Sequence, residues 1–152
     1  MPVDVNGAIR PMTPADEPRV RAIYLIAHPG WPAKSRLHYW AHPTLVLDDE
    51  GGILGFTSYT VGVDELGLLM YGDDLCVMPA MRGRGYGRVL AEARLDYGRD
   101  VGCTRFLGAT QPDNQAMQAI LEAQGFDRLP LPVPRMFPHN VDAILMGGSI
   151  QV

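Results

Sequence analysis

Arg82-Gly83-Arg84-Gly85-Tyr86-Gly87-Arg88 places three guanidinium groups and three alternating glycines within seven residues. An apolar run, Leu75-Cys76-Val77-Met78, stops at Pro79 before it, and Val89, Leu90, Ala93 and Leu95 follow with helical periodicity. Strand, glycine turn and helix start, in that order, build an anion site from backbone alone. The first N–H groups of a helix have no partner within it, and the helix dipole places about half a positive charge there. Glycines let the main chain approach a phosphate with no Cβ in the way. The pattern predicts binding of a pyrophosphate-bearing ligand, with at least one of Arg82 and Arg84 on a phosphate. The competing reading of these arginines is solvated surface charge.

Spacing narrows the ligand. A dinucleotide fingerprint or a kinase glycine loop needs G-x-G-x-x-G, and Arg88 stands where the third glycine belongs. A P-loop needs a lysine directly after its last glycine, and none follows here. What remains is R-x-x-G-x-G, spelled by Arg82, Gly85 and Gly87. This resembles the acetyl-CoA signature of the GNAT superfamily, the Gcn5-related N-acetyltransferases. Asn114, followed by Gln115 to Gln124 and then Gly125-Phe126, is similar to a second element of that family. Ala8 to Asp16 resembles its opening strand and first helix cap, and Leu45 to Phe56 its second and third strands. The likeness spans about residues 8–150 and implies one acetyltransferase domain over 1–152. The fold it implies is α/β, a mixed, mostly antiparallel sheet flanked by helices on both faces.

The resemblance implies acetyl-CoA as co-substrate, with backbone groups of Leu75, Cys76 and Val77 pairing with pantetheine. It puts the pyrophosphate on amides of Gly83, Arg84, Gly85, Tyr86, Gly87 and Arg88. Asn114 is then both a helix cap and a cofactor contact, and Asp113-Asn114 is a good cap sequence in any fold. The side chains of Leu75 and Val77 read equally as ordinary core.

Acetyl transfer to an amine needs a base to free the nitrogen lone pair, and a donor or stabilising group for the departing thiolate. The tyrosine that many relatives carry seven residues beyond the Asn is here Leu121, and the familiar carboxylate position is Tyr71. Asp73 lies two residues on, on the same strand face if no bulge intervenes. Asp73 is the candidate base and Tyr71 the candidate acid, against an edge-strand acid and a packed aromatic. A water-relayed path with no dedicated side chain also stays open. Trp31, Tyr39 and Trp40 follow the first helix, where relatives wall the acceptor pocket, and aromatics there hold cations well. Core packing competes, most evenly for Trp40. His38 and His42 are spaced i, i+4, but no Glu lies between them and no third ligand is evident, so no metal is expected. Cys103 has no histidine near it in sequence to make it a nucleophile.

Turn residues and apolar periodicity mark out the supporting strands and helices. Ala8–Arg10 is a strand. Thr13 caps a helix with Pro14 at its first position and acids in its first turn, ending near His28-Pro29-Gly30. A second helix is expected over Ala33–His42. Thr44–Leu47 and Ile53–Val61 form a hairpin around residues 48–52. Leu68–Val77 is a strand, Gly85–Asp100 a helix, Arg105–Ala109 a strand and Asn114–Gln124 a helix. Met136-Phe137 and Ala143–Met146 are terminal strands. Pro130, Pro132, Pro134 and Pro138 forbid a central strand where relatives have one directly after Gly-Phe. That segment is an edge strand, a polyproline-like loop or a rim of the acceptor site.

The 152 residues, 47% hydrophobic, suffice for a core without disulfide or metal staples. A net charge of −4 argues against a nucleic-acid partner. Cys76 and Cys103 sit in apolar segments and read as reduced core thiols. No apolar run approaches the ~18 residues of a membrane span, and the N-terminus lacks a signal-peptide pattern, so a cytoplasmic protein is expected. The favoured activity is acetyl transfer to a primary amine of a small molecule. The alternatives are a CoA-binding regulatory module without turnover and an acyltransferase acting on a protein or other macromolecule. Relatives are commonly homodimers, though no interface is readable here.

Overall fold

The computed structural model describes residues 8–31, 42–130, 133–137 and 141–150. The chain divides into two compact units, Met1–Tyr59 with Asp74–Arg94, and Thr60–Asp73 with Leu95–Val152. Among the described residues, no helix is long and apolar enough to cross a membrane. The helix expected over Ala33–His42 lies outside the described residues except for His42.

The strand order begins β1 (Ala8–Pro11), β2 (Thr44–Asp49), β3 (Gly52–Asp64), β4 (Gly67–Val77), of which β1, β2, Gly52–Tyr59 of β3 and Asp74–Val77 of β4 fall in the first unit. The expected hairpin is present: β2 and β3 run antiparallel around Glu50-Gly51, where Gly51 N–H donates to Asp49 Oδ1 at 2.7 Å. Their register shifts, with Leu47 opposite Gly55 but Asp48 opposite Ile53, so Leu54 is an extra residue on β3. The shift sorts side chains to opposite faces. Val46, Ile53 and Phe56 pack with Val20, Ile23 and Tyr24 of helix α1 (Glu17–Ala27). Leu47, Leu54 and Val77 pack instead with Tyr86 and Leu90 of helix α2 (Tyr86–Val101). Helices therefore cover both faces of this sheet. Each fully buried Ile or Phe here is worth about 1.5–3 kcal/mol relative to exposure.

The start of α1 keeps the expected cap and adds a turn. Pro14–Asp16 form a 3₁₀ turn first, and Thr13 stands at its N-cap in a capping box with Asp16. Asp16 Oδ2 accepts from the Thr13 N–H at 2.7 Å and from the Thr13 hydroxyl at 2.9 Å. Arg10 donates to the same carboxylate at 2.6 and 3.0 Å and to Asp48 at 2.9 Å. The Arg10 guanidinium holds the Asp16 carboxyl far below the usual aspartate range.

In the second unit β4 pairs in parallel with β5 (Cys103–Thr110), from Leu68↔Cys103 to Gly72↔Gly108. β5 pairs antiparallel with β8 (Val141–Ser149), which also takes β6 (Asp127–Arg128) and β7 (Val133–Phe137). The strand after Gly-Phe is thus cut to two residues, and Pro134 falls in β7, off the main strand path, as the edge-strand alternative requires. Helix α3 (Gln115–Ala123) explains the Gly-Phe pair. Gly125 takes φ +90°, its N–H donates to Glu122 O at 2.9 Å, and Phe126 N–H donates to Leu121 O at 3.0 Å. This is a Schellman ending, which favours glycine in the left-handed position and an apolar residue after it. Phe126 is buried and stacks on Phe106, with centroids 4.6 Å apart. Cys76 and Cys103 are both buried and unbridged, as the sequence suggested.

Candidate active site

The last residues of β4 are fixed along one edge by β3. The Asp74 N–H donates to Ser58 Oγ at 3.0 Å, and the Thr57 hydroxyl donates to the Asp74 carbonyl at 2.8 Å. Met78 N–H donates to Leu54 O at 2.8 Å. At Gly55, a Cβ would lie 2.7 Å from the Cys76 carbonyl oxygen, so the two strands touch there by backbone. Successive peptide groups of a strand point to opposite edges. With Asp74, Cys76 and Met78 facing β3, the N–H and C=O of Leu75 and Val77 face the other edge. The parallel ladder of β4 has by then passed its last pair, Gly72↔Gly108.

After β4, Pro79–Met81 make a 3₁₀ turn, and the chain then uses left-handed backbone twice, at Gly83 (φ +80°) and Gly85 (φ +85°). A side chain at either position would be strained, which accounts for these two glycines. Among the described residues, nothing beyond its chain neighbours stands within 4 Å of a Cβ at Gly83, so its peptide is open to an approaching group. α2 begins at Tyr86, with Val89 N–H bonded to Gly85 O at 3.2 Å. Arg82, Arg84 and Arg88 are exposed around the turn, while Tyr86 and Gly87 are half-buried. An open peptide at Gly83, a helix start and three exposed arginines are the ingredients that anions favour.

On the α1 face of the first unit stands a group that the sequence did not reveal. His28, at the end of α1, stacks on Trp31 with centroids 4.1 Å apart and planes 11° off parallel. His28 Nε2 lies 3.7 Å from Cys76 Sγ, and the Tyr24 ring is 5.0 Å from that of His28. Burial pushes the Tyr24 hydroxyl up to about 12, and the charges of Asp74 and Cys76 act in the same direction. Trp31 is half-buried in this group; Tyr39, Trp40 and His38 lie outside the described residues. The His28–Cys76 pair joins residues 48 apart in sequence, so no local spacing could have announced it.

In the second unit Tyr71 and Asp73 share one face, as expected. The Thr60 hydroxyl donates to Asp73 Oδ2 at 2.8 Å, and the Tyr71 ring is the atom group nearest a Cβ built on Gly62. Both Tyr71 and Asp73 are exposed. Asn114 caps α3, accepting from Met117 N–H at 3.1 Å. Leu121, at the family's tyrosine position, is buried. Among the described residues, no group of three or more His, Cys, Asp or Glu is placed to hold a metal ion.

Strand, glycine cradle and helix start fall inside a longer match: residues 10–126 fit the sequence model of the acetyltransferase (GNAT) family. The chain belongs to this family. GNAT proteins are acyltransferases, and the mixed sheet with its helices matches solved GNAT structures. One is the ribosomal-protein-S18-alanine N-acetyltransferase from Escherichia coli: 21% identity, TM-score 0.81, covering 96% of this chain and 95% of that one. A second is Arabidopsis thaliana NAA60 in complex with a bisubstrate analogue: 16% identity, TM-score 0.83, covering 95% and 98%. A third is a GNAT superfamily phosphinothricin acetyltransferase from Sinorhizobium meliloti in complex with acetyl-CoA: 17% identity, TM-score 0.76, covering 95% and 89%. No curated protein matches the chain.

Proposed function

We propose that this GNAT protein transfers an acetyl group from acetyl-CoA directly to a primary amine of a small molecule bound beside it. The observation that carries the reading is the course of β4. The N–H and C=O of Leu75 and Val77 face the edge away from β3, and after one 3₁₀ turn the chain enters the glycine turn at Gly83–Arg88, open at Gly83. An extended pantetheine amide chain suits the first feature, and a pyrophosphate suits the second. Arg82, Arg84 and Arg88 add charge for the phosphates, and Asn114 adds a polar group besides its cap. The thioester supplies the activated acetyl group.

Around that thioester the chain must remove a proton from the acceptor ammonium and quench the departing thiolate. Asp73 is the proposed base, its carboxylate oriented by Thr60, and Tyr71 the proposed proton donor. Trp31 is proposed to face the acceptor, its ring held by the stack on His28 and suited to a cationic amine. Tyr39 and Trp40 are assigned the same role from the resemblance. The acidic net charge favours cationic acceptors in the same sense.

A second reading, CoA binding without turnover, draws on Leu121, which stands buried where relatives carry a tyrosine acid. Calorimetry with acetyl-CoA, followed by thiol release against a panel of amines, separates the two. Tight binding with release on one amine class supports the enzyme. Binding with no release on free amines, but release on an intact protein, moves the acceptor to a macromolecule. Binding without release on either supports the regulatory reading, and no binding refutes the proposal.

A further inference from the structure

Both backbone polar groups of one residue, Asp74, are gripped by side chains from consecutive residues of β3. Thr57 and Ser58 alternate to opposite faces of their strand, so they reach the Asp74 backbone from above and below. Thr57 is fully buried, Ser58 is 3% exposed, and behind Thr57 stands Arg94 of α2, also 3% exposed. Arg94 Nη1 donates to Thr57 Oγ1 at 3.2 Å. That donation occupies an acceptor position on the hydroxyl oxygen and leaves the hydroxyl proton for the Asp74 carbonyl, at 2.8 Å. A charged donor at one end of such a relay polarises the next bond and strengthens it. A buried guanidinium is costly to place, and here it stands one hydroxyl away from the strand residue just before Leu75.

We propose that Thr57, Ser58 and Arg94 are positioning residues for acetyl-CoA. They fix the rotation of the 73–74 and 74–75 peptides; the second carries the Leu75 N–H, so its rotation, continued by strand alternation, aims the backbone groups of Leu75 and Val77 at the cofactor edge. The inference rests on the acetyl-CoA reading above and assigns its aim to three side chains that touch no ligand. Small tilts matter because a hydrogen bond weakens steeply as its angle closes.

The test compares two ligands on the full chain by calorimetry. One is acetyl-CoA; the other is 3′-phospho-ADP, the nucleotide end of CoA without pantetheine. Thr57→Val keeps the side-chain shape and removes the hydroxyl. It is expected to weaken acetyl-CoA about tenfold, the loss of roughly one good hydrogen bond, with 3′-phospho-ADP changed less than about twofold. Thr57→Ser should recover most of the loss, and Ser58→Ala should weaken acetyl-CoA about threefold with the same selectivity. Unchanged acetyl-CoA binding in Thr57→Val and Ser58→Ala overturns the inference, as does an equal loss of both ligands. If Thr57→Val does not fold, Ser58→Ala decides alone by the same criterion. A wild-type chain that binds neither ligand overturns the acetyl-CoA reading itself, and this inference with it; that result is distinguished by appearing before any substitution.

Discussion

Gly55 shows how one missing side chain shapes β4. With its Cβ position 2.7 Å from the Cys76 carbonyl and 3.2 Å from Leu90, Gly55→Ala must push β3 and β4 apart. The expected cost is about 1–3 kcal/mol, the usual range for overpacking, read as a lower thermal midpoint. The same displacement should weaken acetyl-CoA binding, because it moves the strand that presents Leu75 and Val77. For chemistry, Asp73→Asn is expected to lower kcat/KM at least about tenfold near neutral pH, as removal of a general base does. A value within about threefold of wild type across pH would remove Asp73 from that role, and an unimpaired Tyr71→Phe enzyme would do the same for the proposed acid. The glycine turn was readable because its requirements are local: two left-handed residues, a helix start and neighbouring arginines. Thr57, Ser58 and His28 were not readable, since a buried Thr or Ser in a strand is ordinary, and their partners lie 16 to 48 residues away.

Among the elements, the hairpin of β2 and β3, the long strand β4 and the helices after it follow from patterns that the sequence carries in plain form. The Gly-Phe pair belongs to the same class, because a Schellman ending has a fixed sequence signature. Asn114→Ala removes the cap of α3 and should cost about 1 kcal/mol. That corresponds to a fall of roughly 2–4 °C in Tm for a chain of this size. If acetyl-CoA affinity falls as well, Asn114 also serves the cofactor; if only Tm falls, it is a cap alone. At the α1 start, Thr13, Pro14 and Asp16 were legible because a capping box has local spacing. The Arg10 anchor on the Asp16 carboxylate was not, since sequence spacing does not couple those residues. In the proline-rich segment the sequence keeps its alternatives open, because proline forbids a central strand without choosing among the structures that remain.

For the whole molecule, the Arg10–Asp16–Asp48 ion pairs tie stability to acid. A carboxylate held below its unfolded value contributes stability above about pH 4, the ordinary aspartate range, and loses it as the pH falls. Asp16→Asn is therefore expected to lower Tm by several degrees at neutral pH, with the gap to wild type steady down to about pH 5 and closing below about pH 4. A gap that does not change with pH would show that the residue acts through shape and not charge. The two cysteines of the chain carry a practical consequence of their burial. A thiol reacts with disulfide dyes as its thiolate and only when reached, and burial raises the Cys103 thiol further from ionisation. The folded protein should therefore be silent toward such a dye, so every equivalent of colour in a turnover assay belongs to released CoA. A slow baseline rising toward two equivalents per chain would instead time the unfolding of the enzyme in the same cuvette.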